Sequence, residues 1–201
     1  MIEIKMLNNK YSDTLINNLK ASIKAKQEFL NKSEQIDLFN KIAEIVIKSY
    51  KKGGRLYIAG NGGSAADAQH LAAEFISKLA KDREPLPAEA LTVDTSVLTA
   101  ISNDYGYEEV FSRQLIAKLR KHDLFLGITT SGNSENILYA LKECKRIKIP
   151  SIVFCGKDGG KALELADYCI IATGLKTGSI QELHILLAHS LCQCVEEEIF
   201  K

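Results

Sequence analysis

His70 and Glu74 stand four residues apart, shortly after the segment Gly60-Asn61-Gly62-Gly63-Ser64. In a helix, four residues turn by about 40° and rise about 6 Å, so both side chains share one face. Glu74 lies in an otherwise apolar stretch, residues 71–76. An imidazole and a carboxylate so placed could move protons on a substrate, or form an ordinary solvated surface pair. His189 sits in the mainly apolar run 185–191. A histidine there is either a hydrogen-bonded core group or a functional one. Gln181 precedes it by eight residues. The two differ by about 80° around a helix and roughly 12 Å along it, so they border one pocket only if it straddles two turns.

A second segment, Thr130-Ser131-Gly132-Asn133-Ser134, resembles the first in composition. Each follows a short apolar run and precedes a helical pattern. Ligands of open α/β sheets bind at such strand ends. Helix N-termini there offer free N–H groups to an anion, and Ser64, Thr130, Ser131 and Ser134 add hydroxyl donors. A P-loop needs Gly-Lys-Ser/Thr, and here the end is Gly-Gly-Ser. Gly60, Gly62 and Ala65 fit a dinucleotide fingerprint only in part, because Asp94 lies too far on for its acid. Tight turns with helix caps remain the plain alternative.

The elements that must position these groups follow from periodicity. Leu15, Leu19, Ile23 and Leu30 form a helical stripe, and Ile36, Phe39, Ala43, Val46, Ile47 and Tyr50 form another. Strands are expected over about residues 55–59, 90–93, 123–129, 151–155 and 168–171. Helices are expected over about residues 65–79, 107–120, 135–146, 161–166 and 178–200. Alternating strands and helices predict an α/β chain with a parallel sheet covered on both faces. The two N-terminal helices, within 1–52, would pack as an appendage on a core over 53–201, all one domain of 1–201. The last helix is apolar nearly all round, so it must be buried on all sides, partly by another subunit.

At 201 residues, 46% hydrophobic and 25% charged, the chain has an ordinary globular profile. A net charge of +1 gives no field for nucleic acid, so anion binding must rest on local loops. Five cysteines without a Cys-x-x-Cys pair read as buried free thiols of a reducing compartment, the cytoplasm. Residues 1–10 lack the apolar core of a leader, and no stretch is apolar enough to span a membrane.

In order along nearly the whole chain, several motifs resemble one family. They are Gly60-Asn61-Gly62-Gly63-Ser64, Asp67-Ala68-Gln69-His70 with Glu74, and Asn103-Asp104-Tyr105-Gly106-Tyr107. Thr129-Thr130-Ser131-Gly132-Asn133-Ser134, Gly156-Lys157-Asp158-Gly159-Gly160 and Ile180-Gln181-Glu182-Leu183-His184 with His189 complete the set. The chain resembles the sedoheptulose-7-phosphate (phosphoheptose) isomerases. The resemblance implies the sugar isomerase (SIS) fold, a flavodoxin-like three-layer sandwich, and a homotetramer with interfacial active sites. It implies Glu74 and His189 as an acid–base pair working through an enediol. Asn61, Gly62, Gly63, Asn103 and Asp104 would hold sugar hydroxyls. Thr129, Thr130, Ser131, Ser134 and Ser64 would hold phosphate, with Glu74 and Gln181 also facing substrate. His70, Glu74, Gln181 and His189 would hold one zinc per subunit, a chemistry that N and O donors permit.

Two positions depart from the family pattern: Ser179 and Lys78 stand where arginine is usual. Lysine keeps the charge but loses the bidentate fork. The implied activity converts sedoheptulose 7-phosphate to D-glycero-D-manno-heptose 7-phosphate, the entry to heptose for lipopolysaccharide or capsule. Related tetramers act instead as non-catalytic adaptors for a replication initiator, but they tend to lack the acid–base pair. Arabinose-5-phosphate isomerases usually carry a further C-terminal regulatory domain, and this sequence runs to Lys201.

Overall fold

A computed structural model describes residues 10–201. The expectation about a leader in residues 1–10 concerns a stretch that, but for Lys10, lies outside the described residues. Five strands, β1 (Leu56–Gly60), β2 (Ala88–Ala90), β3 (Leu124–Thr129), β4 (Ser151–Gly156) and β5 (Tyr168–Ala172), make one parallel sheet in the order β2-β1-β3-β4-β5. This is the flavodoxin-like order, whose direction reverses between β1 and β3. Every residue of β1, β3 and β4 is buried, as a sheet covered on both faces requires.

One face carries α1 (Lys10–Leu30), α2 (Ser33–Lys51), α3 (Gly63–Ile76) and α8 (Thr177–Ile199). Val46, Leu71, Phe75, Leu187 and Leu191 from these helices pack on Ile58, Leu126 and Phe154 of the sheet. The other face carries α4 (Thr95–Tyr105), α5 (Ser112–Lys118), α6 (Glu135–Ile147) and α7 (Ala162–Leu165). There Leu115, Ile137 and Leu141 meet Tyr57, Phe125 and Val153. The two N-terminal helices do pack on the α/β core, through Ala25, Phe29, Ile42 and Val46.

Three expectations need correction. The second strand is Ala88–Ala90 rather than 90–93, because the chain leaves the sheet to enter α4. The helix expected over 107–120 is a 3-10 turn, Tyr107–Glu109, followed by α5. The apolar stripe of α1 faces outward: Leu15, Leu19 and Ile23 are 61%, 53% and 55% exposed, while Ser22, Ala25 and Phe29 face the core. On α8, Leu186 and Glu182 are likewise exposed, so the helix is not buried all round within one chain.

All five cysteines are free thiols, four of them buried. Burial is the main cause that pushes Cys144 and Cys192 up to about 12, so both stay protonated and inert at neutral pH.

Candidate active site

β1 and β3 are neighbours, with Gly60 paired to Ile128, so their two strand-end loops lie side by side. Gly62 takes a positive φ of 55°, which glycine adopts without strain, and the chain turns there into α3. The loops are joined by reciprocal amide bonds. Asn61 Nδ2 donates to Asn136 Oδ1 at 2.9 Å, and Asn136 Nδ2 donates to Asn61 Oδ1 at 2.8 Å. Tyr107 Oη donates to the same Asn61 oxygen at 2.9 Å. Most of the amide of Asn61 is therefore engaged in holding the site together.

The loop after β3 is ordered from within. Thr129 Oγ1 and Ser134 Oγ are 2.9 Å apart, and Ser131 Oγ accepts from the Asn133 amide at 3.1 Å. The Asn133 side chain reaches the next turn, accepting from Lys161 N at 3.1 Å. Thr130, Ser131 and Ser134 are partly exposed at this edge, while Ser64 is buried at the first turn of α3. Asn103 and Asp104 lie exposed at the end of α4, bonded to each other at 2.8 Å.

α3 and α8 pack as parallel helices, and a polar strip follows their seam. At its start Gly63 makes a close approach: a Cβ there would stand 2.6 Å from Gln181 Nε2. Further along, His70 Nε2 and His189 Nε2 are 2.8 Å apart, one imidazole donating to the other. Glu74 Oε1 lies 3.3 Å from His70 Nε2. One ligand atom from each of His70, Glu74 and His189 falls within 4.8 Å of the others. The Glu74 side chain is 19% exposed and His70 48%, so the cluster opens to solvent on one side. Asp67, between Gly63 and His70 on the same helix face, has a buried oxygen without a partner. Burial pushes its carboxyl up, while the nearby His70 pulls it down.

The donor set fits a zinc ion. Bonds of about 2.0–2.2 Å in tetrahedral geometry place donors roughly 3.3 Å apart, close to the spacings found here. Gln181 is the remaining sequence-predicted ligand. Its amide lies by Gly63, about two turns of α3, roughly 10 Å, before His70.

The model of the SIS domain family matches residues 19–156. The phosphoheptose isomerase of Clostridium acetobutylicum is 50% identical over 182 residues, 90% of this chain and 93% of that protein. Phosphoheptose isomerase 2 of Campylobacter jejuni is 52% identical over 179 residues, 89% of each. This chain belongs to the phosphoheptose isomerase family. The solved phosphoheptose isomerase of Neisseria gonorrhoeae superposes with a TM-score of 0.87 at 39% identity, covering 94% of this chain and all 100% of that one. That of Francisella tularensis gives 0.89 at 32% identity, with coverage of 94% and 100%.

The two departures from the family pattern lie outside the cluster. Lys78 is exposed and pairs with Asp82 at 3.5 Å, and Ser179 is buried beside Gly174. A separate cavity of about 550 Å³ opens at the amino ends of β3 and β4, lined by Ser49, His122 and Pro150 among others, and none of the predicted site residues lines it. Sequence reasoning left Asn136, Arg83 and Glu196 without a role. Asn136 carried a signal, a polar residue on the apolar face of α6. Glu196 carried none: it opens a run of three glutamates, and only the fold shows that it alone of Glu196, Glu197 and Glu198 is buried.

Proposed function

We propose that this family member interconverts sedoheptulose 7-phosphate and D-glycero-D-manno-heptose 7-phosphate. One observation carries the reading. His70, Glu74 and His189 converge on the α3–α8 seam, roughly 10 Å along α3 from the loop after β1, which lies beside the loop after β3. A seven-carbon sugar with phosphate at one end and a carbonyl near the other spans a gap of that order. The phosphate would lie against Ser64, Thr129, Thr130, Ser131 and Ser134, at the helix N-termini. Gly62, Gly63, Asn103, Asp104 and Gln181 would line the chain of hydroxyls, with Asn61 fixing the loop.

Glu74 would take the C1 proton of the ketose while His189 protonates O2, giving the cis-enediol. Glu74 would then return a proton to C2 as O1 loses its own, leaving the aldehyde at C1. Proton transfer by positioned groups of this kind contributes about 10²–10⁴-fold. His70, Glu74 and His189, with Gln181 if its side chain swings along the seam, would hold the zinc. A bound zinc would polarise the carbonyl. The adaptor alternative is not favoured, since the acid–base residues are present and assembled.

Several finer points belong to the same reading. The exposed apolar residues of α1 and α8 support a homotetramer with active sites at its interfaces. Four buried free thiols support a cytoplasmic setting, and no helix among the described residues is long and apolar enough to cross a membrane. The product would feed heptose into lipopolysaccharide or capsule.

The test is to follow aldose formation from sedoheptulose 7-phosphate by NMR. Glu74→Gln and His189→Ala should each lose at least about 100-fold in kcat while keeping the far-UV spectrum of the parent. Wild-type rates in either variant remove that residue from the mechanism. Metal analysis of the same samples, with and without chelator, tests zinc: absence of bound zinc together with chelator-resistant activity defeats that part.

A further inference from the structure

Arg83 lies outside the acid–base group but grips the backbone that carries it. α3 ends at Ile76, so the carbonyls of Glu74 and Phe75 find no helical donor. From the following loop, Arg83 turns back. Its Nη2 donates to Glu74 O at 2.8 Å, and its Nη1 donates to Phe75 O at 2.8 Å. Its Nε donates to Glu196 Oε1 at 2.8 Å. Glu196 sits on α8, two turns after His189, and also accepts from Leu79 N at 2.9 Å and Ala80 N at 3.2 Å. Both charged side chains are only 1% exposed. One guanidinium thus links the main chain of Glu74 to the helix that bears His189.

We propose that Arg83 and Glu196 are positioning residues for the isomerase site, fixing the offset between α3 and α8 so that Glu74 and His189 meet. The activity arm of this inference rests on the isomerase reading above. Apolar packing along a helix seam tolerates small slides, whereas a planar fork bonded to named carbonyls and a carboxylate does not. A misplacement of about 1 Å is enough to cost catalysis heavily. Buried ion pairs add little stability over apolar packing, so a registering role accounts for this one.

The experiment compares Arg83→Met, Arg83→Lys and Glu196→Gln with Leu141→Ala, a core truncation on the opposite face of the sheet. kcat and KM for sedoheptulose 7-phosphate are measured where each protein is folded by near-UV circular dichroism. Long-range 1H–15N spectra resolve the four histidines and report the mutual placement of His70 and His189 without substrate, whether the two rings share a proton or a metal ion. Arg83→Met and Glu196→Gln should lower kcat at least about tenfold with KM within about twofold, and Arg83→Lys should fall between. The His70 and His189 signals should move while those of His122 and His184 stay. Leu141→Ala should melt earlier yet keep its kcat and imidazole spectrum. If the Arg83 and Glu196 variants merely melt earlier, with wild-type kcat and imidazole signals, the proposal is overturned. Should Arg83→Met not fold, Arg83→Lys and Glu196→Gln carry the same comparison. If the parent protein itself fails to isomerise, the functional reading falls, and the imidazole spectra alone decide the positioning role.

Discussion

His184 shows how one buried group ties stability to pH. Its ring is fully buried, Nε2 donates to Cys155 O at 2.8 Å, and Nδ1 has no partner. Burial holds its pKa below the ordinary value of 6.5. The unfolded chain therefore binds a proton at a higher pH than the folded one does. Stability is whole above about pH 6.5 and declines as pH falls below it, until the folded ring itself titrates. Melting temperature should drop between pH 7.5 and 5.5, and His184→Phe should flatten that slope. An unchanged slope would show that other groups govern acid stability in this window.

The same residue marks the limit of sequence reading. His184 and His189 both stand in apolar surroundings on one helix, and pattern alone left His189 as either a core or a functional group. Contact decides. His184 points at a strand carbonyl, whereas His189 points across a seam at His70. Arg83 was invisible for a different reason. It sits in a loop without periodicity, and its partners lie on elements that only the fold brings near.

At the level of elements, the strands and most helices were legible, because buried parallel strands are continuous apolar runs and α6 has a sharp apolar face. α4 was not. None of its residues is fully buried, so it leaves no stripe, and its start is signalled only by the Asp94 carboxylate accepting from Val97 N at 3.0 Å. The paired loops were legible by composition, but their coupling through Asn136 was not. Asn136→Ala would leave Asn61 without two amide bonds, at a cost of about 1–3 kcal/mol in stability. It should raise KM for the sugar phosphate more than it lowers kcat. Steady-state kinetics that show a pure kcat defect would place Asn136 elsewhere in the mechanism.

At the scale of the whole molecule, the outward stripe of α1 is the feature that a single chain leaves unexplained. Leu15, Leu19 and Ile23 recur every four residues on the face turned from the core. In the proposed tetramer this face would be covered. Leu19→Glu combined with Ile23→Glu should then dissociate the assembly, seen by sedimentation velocity as a smaller species. Persistence of the parent sedimentation coefficient would assign the subunit contacts to other surfaces.

The amides of Asn133 and Asn136 tether the turn after β3 to its neighbours on both sides. With these ties already made, the proposed phosphate seat needs no moulding when an anion arrives. Free and occupied forms should agree to within about 1 Å in main-chain trace there, and capture should be paced by encounter and orientation instead of by a moving flap.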